Sequence, residues 1–332
     1  MSSKAIITSI ASYVPETVLT NADLETMVET SDEWIVARTG IKERRIAGPN
    51  EFTSTMAAEA AKRVLARSKI DPLDIDLILV TTMTPDYLCP STACLVQAAI
   101  KATNAGAVDI EAACTGFIYG LSMAKAYIES GMYQTILVIA SEKNSVFTNY
   151  ADRNTCIIFG DGAGAALITK NGRGLSIDAV HLGASGEEAD LLKIPAGGCR
   201  LPSSATSFDE KLHTMQMNGR ELFKHAVRRM EESILACLAK VSLTPADINW
   251  LVAHQANLRI IDALAKRFEI DASKVPVTID SFGNTSSATI PITLDVLLNK
   301  HILQPRERIA LTAFGGGLTW GSAILTVTGA LA

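Results

Sequence analysis

Three polar side chains lie in settings where this chain could do covalent chemistry: Cys114, His254 and Asn284. Cys114 lies in the run Ala-Ala-Cys-Thr-Gly, at the predicted start of a helix, where unpaired N–H groups and the helix dipole favour a thiolate. Its small neighbours leave space for a substrate carbonyl group. We therefore interpret Cys114 as a nucleophile, whereas the other cysteines are more simply explained as structural residues.

His254 and Asn284 are the other two candidates for a catalytic role. His254 follows the apolar strand pattern of residues 250–253 at a turn into a helix, where α/β proteins commonly place catalytic groups. Asn284 could simply cap the helix that follows it. Both side chains can donate hydrogen bonds without a permanent charge. The glycine cluster at 314–317 could bring a backbone N–H close to a ligand oxygen, although a tight turn would explain it equally well.

The elements that must position these residues occur in two copies. The segment DPLDIDLILV (71–80) reappears as TPADINWLVA (244–253), about half the chain later. Each copy follows an amphipathic helical pattern and enters an apolar strand, and a small-residue helix and a further strand come later. We predict two βαβαβ halves, residues 1–172 carrying Cys114 and residues 173–332 carrying His254 and Asn284. Cys114 and Asn284 would then occupy equivalent helix starts that face a shared centre.

Composition narrows the class of protein. The 332 residues are 48% hydrophobic and 20% charged, which favours a large folded core. The net charge of −5 argues against a nucleic-acid binder. No CxxC pair indicates a zinc site or a disulfide framework. The N-terminus does not resemble a secretory signal and no long apolar stretch indicates a membrane span, so we predict a cytoplasmic protein with free thiols and no metal or redox cofactor.

Six segments, in order, resemble the ketoacyl-ACP synthase III family, which initiates bacterial type II fatty acid synthesis. They are SDEWIVARTGI (31–41), the Cys114 turn, ADRNTCIIFGDGAGAA (151–166), WLVAHQANLRII (250–261), SFGNTSSATIP (281–291) and FGGGLTWGSA (314–323). The resemblance covers nearly the whole chain. It implies the five-layered αβαβα thiolase fold, which agrees with the internal duplication.

The resemblance implies a reaction in two steps. Cys114 would attack an acyl-CoA thioester, with the backbone N–H groups of Cys114 and Gly316 as the oxyanion hole. Malonyl-ACP would then bind, and His254 and Asn284 would hold its thioester oxygen while CO2 leaves. The resulting enolate would attack the acyl group on Cys114 and give a 3-ketoacyl-ACP. Acyl-CoA and malonyl-ACP are substrates, and no cofactor is expected.

The resemblance also implies binding residues and a homodimer. Trp34 and Arg153 would sandwich the CoA adenine, helped by Arg38, Asn257 and Thr30. Because the carrier protein is acidic, a basic docking face is expected, formed by Lys224, Arg259, Lys266 and Arg267. A solvated helix face would explain each of these four charges as well.

One departure from the family pattern affects the substrate. Cys89, just before Pro90, stands where acetyl-preferring members place a phenylalanine. A smaller side chain there predicts a longer acyl pocket and a primer longer than acetyl. The stretch 196–215 is also longer than expected for the family.

Other functions fit the same residues. A specialised condensing enzyme for a natural product, signal molecule or long-chain ketone would keep Cys114, His254 and Asn284. A cysteine acyl-hydrolase would use similar groups but would need no malonyl-ACP. A non-catalytic scaffold of this fold would not need these three residues.

Overall fold

The computed structural model describes residues 4–331 as a mixed α/β protein built around a large sheet. Its strands are β1 (Ala5–Tyr13), β2 (Val18–Thr20), β3 (Glu43–Arg45), β4 (Leu77–Thr81), β5 (Gly106–Ile110), β6 (Thr135–Glu142), β7 (Gly162–Lys170), β8 (Leu175–Ala184), β9 (Leu192–Lys193), β10 (Gln216–Met217), β11 (Trp250–Ala253), β12 (Arg308–Gly315) and β13 (Thr319–Val327). Its α-helices are α1 (Asn21–Glu25), α2 (Asp32–Thr39), α3 (Thr53–Ser68), α4 (Thr92–Ile100), α5 (Gly116–Ser130), α6 (Ala205–Asp209), α7 (Gly219–Lys240), α8 (Leu258–Arg267), α9 (Ile279–Phe282) and α10 (Thr289–Lys300).

The strand order of the large sheet repeats itself. The order is β11-β12-β13-β8-β1-β7-β6-β4-β5, with β1 and β8 pairing only at Ile6–Ser176 and Ile7–Leu175. On one side of that junction β1, the first strand of its half, pairs with β7, the last. On the other side β8, the first strand of its half, pairs with β13, the last. We propose that the chain divides in the turn between β7 and β8, into the predicted halves 1–172 and 173–332, whose outer ends (1–3 and 332) lie outside the described residues.

The helices form three layers: one lies between the strands of the two halves, and one covers the outer face of each half. α5 and α10 share one core with strands of both halves, in which Phe117, Ile290 and Leu294 are fully buried. On the outer faces, α3 and α4 pack against β4, β6 and β7, while α7 and α8 pack against β8, β11 and β12. The predicted five-layered αβαβα fold is thereby confirmed. The first half carries one unit more than the predicted βαβαβ, because α4 and β5 intervene between β4 and Cys114.

The outer helices form because their apolar residues recur at helical spacing. In α7 the buried positions include Leu222, Ala226, Met230, Ile234 and Cys237, which all fall on one face. The other face is charged, so burial against the sheet selects a single orientation of the helix. None of the helices in the described part of the chain is long and apolar enough to cross a membrane.

The site residues lie at the carboxyl ends of parallel strands. Cys114 follows β5, His254 comes directly after β11, and β6 ends at Glu142. Because β4 pairs in parallel with both β5 and β6, the ends of these strands meet at one edge of the layer.

Gly283 sets the position of Asn284. Its backbone (φ +63°, ψ −158°) lies in a region that only glycine adopts readily, and a Cβ there would lie 2.8 Å from the Ile158 carbonyl oxygen. Asn284 N donates to that oxygen at 2.9 Å, and Gly160 N donates to Asn284 O at 3.1 Å. This bridge holds Asn284 against a segment of the first half.

We expect Gly283→Ala to lower the free energy of unfolding by about 3 kcal/mol, through backbone strain and contact with Ile158. Gly131→Ala is the matched control, since Gly131 also has a positive φ (+81°) but a Cβ there would meet nothing within 4 Å in the described part of the chain; it should cost only about 1 kcal/mol. Urea denaturation measures both values. If both variants lose the same free energy of unfolding, the contact between the added Cβ at position 283 and the Ile158 carbonyl oxygen contributes nothing to the loss.

Candidate active site

One cavity of about 950 Å³ brings the three predicted reactive residues together. Cys114, His254 and Asn284 all line it, although they come from different elements of the two halves. All three are buried, so water is largely excluded from their surroundings. The cavity also reaches exposed residues, including Arg38 and Arg220, and therefore connects the buried centre with the surface.

Cys114 lies in a short 3-10 turn, Ala113–Thr115, immediately before α5. Ala113 has a φ of +43°, a left-handed conformation that is strained for a residue with a side chain. The Cys114 thiol donates to Ser286 Oγ at 3.6 Å. Burial raises the pKa of Cys114 to about 12, which the bond to Ser286 offsets only in part. Burial therefore outweighs what the backbone at the helix start contributes, and the thiol is neutral rather than the thiolate expected from the sequence.

The end of β12 lies directly against the nucleophile. A Cβ on Gly315 would lie 2.8 Å from the Cys114 backbone nitrogen and 2.9 Å from its Cβ. Only glycine permits this approach. The peptide that joins Gly315 to Gly316, the predicted partner in the oxyanion hole, is therefore held beside Cys114.

His254 lines the cavity, and what it offers a ligand depends on which ring nitrogen carries hydrogen. Its Nδ1 lies 2.6 Å from Thr289 Oγ1, whose hydroxyl hydrogen has a second acceptor in the Ser286 carbonyl oxygen at 3.0 Å. If the hydroxyl donates to Nδ1, the ring hydrogen lies on Nε2 and faces a ligand. If it donates to Ser286, the ring hydrogen lies on Nδ1 and Nε2 is an acceptor. Burial lowers the pKa of His254 to about 3, so the ring is neutral at physiological pH.

Asn284 presents a hydrogen-bond donor to the cavity. The backbone N–H of Ser286 donates to Asn284 Oδ1 at 2.8 Å. Because an N–H can only donate, this contact identifies the carbonyl end of the side chain and leaves the amide NH2 for the cavity. Asn284 is not the equivalent of Cys114 in the repeat: Ser287 is, since each lies two residues before its helix, α10 and α5 respectively.

The residues predicted to bind CoA lie together. The guanidinium carbons of Arg38 and Arg153 lie 4.5 and 4.9 Å from the centre of the Trp34 ring. Asn257 Nδ2 donates to the Arg38 carbonyl at 2.9 Å, and Thr30 Oγ1 is buried without a hydrogen-bond partner among the described residues. Trp34, Arg38 and Asn257 line the cavity. Arg153 already occupies a face of Trp34, so no open gap for a base separates the two.

The four predicted docking residues separate into two pairs. Lys224 and Arg259 line the cavity, whereas Lys266 and Arg267 lie in the last turn of α8. Lys224 pairs with Glu221 at 2.8 Å and Arg267 pairs with Glu231. Arg220, which the sequence did not single out, is also exposed at the cavity wall.

Cys89 does not line the cavity of its own chain. It is exposed, in the segment before α4, next to the exposed side chains of Tyr87 and Leu88. The long stretch 196–215 contains α6 and is flanked by the β9–β10 ribbon, which places Leu192 and Met217 on the cavity wall.

Two buried residues beside the nucleophile were missed from the sequence: Glu142 and Ser286. Glu142 accepts hydrogen bonds from Ser286, Ser287, Thr82, Thr84 and the Met83 backbone. Burial raises its pKa to about 7. The available signal in the sequence was a carboxylate at the end of an apolar strand pattern. Burying a charge at such a position is costly unless other groups hydrogen-bond to it. The described residues hold no group of three or more His, Cys, Asp or Glu that could bind a metal ion.

Comparisons with known proteins show the family to which the chain belongs. Two profiles of the family described as 3-oxoacyl-(acyl-carrier-protein) synthase III match residues 108–186 and, for its C-terminal part, 238–327. The chain is 52% identical to a beta-ketoacyl-(acyl-carrier-protein) synthase III of Chlamydia muridarum, with 97% of this chain and 99% of that protein aligned.

Solved structures are similarly close. The 3-oxoacyl-(acyl-carrier-protein) synthase III of Aquifex aeolicus has a TM-score of 0.89 at 45% identity, covering 97% of this chain and 99% of that one. The priming beta-ketosynthase of the R1128 polyketide pathway has a TM-score of 0.91 at 32% identity, covering 99% and 98%.

We expect His254 to remain neutral between about pH 5 and 8, because burial lowers its pKa to about 3. We also expect its ring hydrogen on Nε2, since the donor role predicted for His254 requires it there. Nitrogen NMR of protein labelled in its histidines measures both properties, and His254→Gln identifies the signals. In Thr289→Val the donor to Nδ1 is lost, so the preference for the Nε2 tautomer should weaken. Hydrogen found on Nδ1 in the wild type would contradict the assignment.

Proposed function

This chain belongs to the 3-oxoacyl-(acyl-carrier-protein) synthase III family, and we propose that it performs the family's condensation through an acyl group carried on Cys114. The enzyme is an acyltransferase that catalyses the initiating condensation of fatty acid synthesis. The observation that carries the proposed mechanism is the convergence of one thiol with the His254 and Asn284 side chains in one cavity. In the mechanism His254 Nε2 and Asn284 Nδ2 act as neutral donors.

In the first step the Cys114 sulfur attacks the thioester carbonyl of an acyl-CoA. The carbon–sulfur bond to CoA breaks, and the acyl group stays on Cys114. The backbone N–H groups of Cys114 and Gly316 stabilise the oxyanion formed on the way, supported by the close approach of Gly315 to Cys114.

In the second step malonyl-ACP occupies the space that CoA leaves. Its thioester oxygen accepts hydrogen bonds from His254 and Asn284, and the bond to the carboxylate carbon breaks to release CO2. The electrons of that bond form an enolate, whose carbon attacks the acyl-Cys114 carbonyl. Because both donors are neutral and buried, they stabilise the developing negative charge more than the malonyl carboxylate.

The nucleotide part of CoA binds at Trp34. The adenine ring takes the place of the Arg153 guanidinium against the indole, and Arg153 stacks on its outer face. Arg38 and Asn257 line the cavity between this point and Cys114, and Thr30 helps to hold the nucleotide.

The acidic carrier protein docks on the basic residues around the cavity opening. Lys224 and Arg259 lie where the pantetheine arm would enter, and Lys266 and Arg267 extend this surface along α8. Lys224 and Arg267 already have acidic partners, so the exposed Arg220 and Arg259 supply positive charge without an ion-pair partner among the described residues at the cavity wall.

A homodimer forms through the open edge of the large sheet. β5 is the terminal strand there, and Val108 on it is exposed, as are Tyr87 and Leu88 (91% exposed) in the segment before α4. The Asp109 carboxylate accepts the backbone N–H groups of Thr92 and Ala93 at 2.6 and 2.7 Å, so this segment is held beside β5. Pairing of the β5 strands of two copies would bury these apolar side chains and direct Cys89 of one copy towards the cavity of the other.

We expect Cys114→Ala to abolish acyl loading, and His254→Ala and Asn284→Ala to load normally but condense about 100-fold more slowly, as loss of one oxyanion donor does in other enzymes. Intact mass after exposure to acyl-CoA measures loading, and release of 3-ketoacyl-ACP on adding malonyl-ACP measures condensation.

Cys237→Ala is the control for Cys114→Ala, because Cys237 is also a buried thiol but lies outside the cavity. A mass increment that decays to free fatty acid without malonyl-ACP would instead indicate an acyl-hydrolase. Loading of Cys114→Ala at the wild-type rate would exclude the proposed nucleophile.

We expect Cys89→Phe to shorten the longest acyl-CoA that loads, because the larger side chain narrows the pocket of the paired subunit. Competition among acyl-CoAs of increasing length, followed by intact mass, gives the profile. Cys94→Phe is the matched control, an exposed cysteine on the neighbouring helix α4. An unchanged profile in Cys89→Phe would show that this residue does not limit the acyl pocket.

A further inference from the structure

The proposed first step needs an acceptor for the Cys114 proton. The thiol is buried and neutral, and must lose its hydrogen as sulfur bonds to the acyl carbon. In the proposed mechanism His254 cannot take it, because its Nε2 must keep the ring hydrogen to donate to the malonyl thioester, and its Nδ1 faces Thr289 Oγ1 at 2.6 Å. Another base must therefore lie within hydrogen-bond reach.

A continuous hydrogen-bonded chain leads from the thiol to a carboxylate. Cys114 Sγ donates to Ser286 Oγ at 3.6 Å, and Ser286 Oγ donates to Glu142 Oε1 at 3.2 Å. The donor and acceptor directions agree along the chain, so one proton shift at each bond moves the thiol hydrogen to Glu142. Ser286 and Glu142 are both fully buried.

We propose that Glu142, acting through Ser286, takes the proton of Cys114 during acyl loading and returns it when condensation frees the thiolate. The role rests on the proposed function. Glu142 does not touch substrate, so it positions and relays a proton, while His254 and Asn284 keep their donors for the malonyl group.

The proton balance closes over the cycle. In loading, the S–H proton passes to Ser286 while the Ser286 proton passes to Glu142, sulfur bonds to the acyl carbon, and CoA leaves as a thiolate that is protonated by water. In condensation, the enolate displaces Cys114 as a thiolate, and Glu142 returns the proton through Ser286. Release of CO2 requires no proton, so His254 stays neutral throughout.

The surroundings of Glu142 accommodate both of its protonation states. Its oxygens accept five hydrogen bonds, and within residues 4–331 no Lys or Arg side chain pairs with it. Ser287 Oγ, at 2.7 Å from Glu142 Oε1, has a second acceptor in the Thr81 carbonyl at 3.2 Å. Ser287 can therefore turn away when the carboxylate is protonated. Burial raises the pKa of Glu142 to about 7, which suits reversible proton transfer near neutral pH.

The backbone at the relay is strained. Ser286 has a φ of +53°, in the left-handed region, and its counterpart in the other half, Ala113, has a φ of +43°. Residues with side chains adopt this conformation only where surrounding contacts enforce it. Ala113 directly precedes Cys114, and Ser286 is the other partner in the contact. The packing of the two halves therefore maintains this contact at a cost in backbone strain.

The other ionisable groups around the relay are few. Glu111 raises the pKa of Cys114, as Glu142 does, but is exposed and accepts the Ala113 backbone N–H at 3.1 Å. Lys143, next to Glu142 in the chain, directs its ammonium to the carbonyl oxygens of Gly48 and Glu51. His254 is neutral at the pH values of interest.

Single-turnover loading from acyl-CoA, followed by intact mass from about pH 6 to 8, tests the relay. We expect the wild-type rate to rise as Glu142 ionises near pH 7. Glu142→Gln and Ser286→Ala should load at least about 100-fold more slowly, with the pH step lost. Glu142→Asp should recover part of the rate and the step, and His254→Ala should load normally.

Glu111→Gln is the matched control and should load within a few-fold of the wild type. Electrostatics alone predicts the opposite sign: removing the Glu142 charge would lower the pKa of Cys114 and speed its reaction. Loading by Glu142→Gln at or above the wild-type rate would therefore overturn the relay.

Alkylation of Cys114 by iodoacetamide separates this proposal from the proposed function, because it needs no acyl-CoA. Slower alkylation of Cys114 in Glu142→Gln and Ser286→Ala supports the relay even if no acyl-CoA loads. Unchanged alkylation together with unchanged loading overturns it while leaving the acyl-Cys114 mechanism intact. Circular dichroism checks that each variant folds. If Glu142→Gln does not fold, the loading and alkylation rates of Glu142→Asp and Ser286→Ala test the relay instead.

Discussion

The hydrogen bonds that Ser286 and Ser287 donate to the Glu142 carboxylate set the spacing of the two halves where the chemistry takes place. Glu142 ends β6 of the first half, and the two serines lie in the turn before α10 of the second. A buried carboxylate without these donors would be costly, so the network favours one registration of the halves. Cys114 comes from one side of that junction, and His254 and Asn284 come from the other.

Burial makes the site neutral at rest. It raises the pKa of Cys114 to about 12 and lowers that of His254 to about 3, so neither side chain is charged at neutral pH. Charge then appears mainly during reaction, on the thioester oxygens and on the leaving groups. Donors fixed in a dry cavity stabilise such transient charge without first reorganising water.

The duplication is used unequally at the two helix starts. In each half a 3-10 turn with one strained residue precedes the central helix: Ala113 before α5 and Ser286 before α10. The following position is Cys114 in the first half and Ser287 in the second. The same backbone conformation therefore positions the nucleophile in the first half and, in the second, the serine that donates a hydrogen bond to Glu142.

Much of this protein follows from its sequence. The repeated strand pattern, the small residues around Cys114 and the apolar strand before His254 indicate the halves and the reactive groups, because periodicity and local geometry are encoded by neighbouring residues. Local sequence does not encode distances across the interface between the halves. Only the tertiary structure therefore decided that Ser287, rather than Asn284, is the counterpart of Cys114, and that Cys89 lies outside its own cavity. It also decided that Ser286 joins Cys114 to Glu142, since these three residues meet only when both halves pack and exclude water.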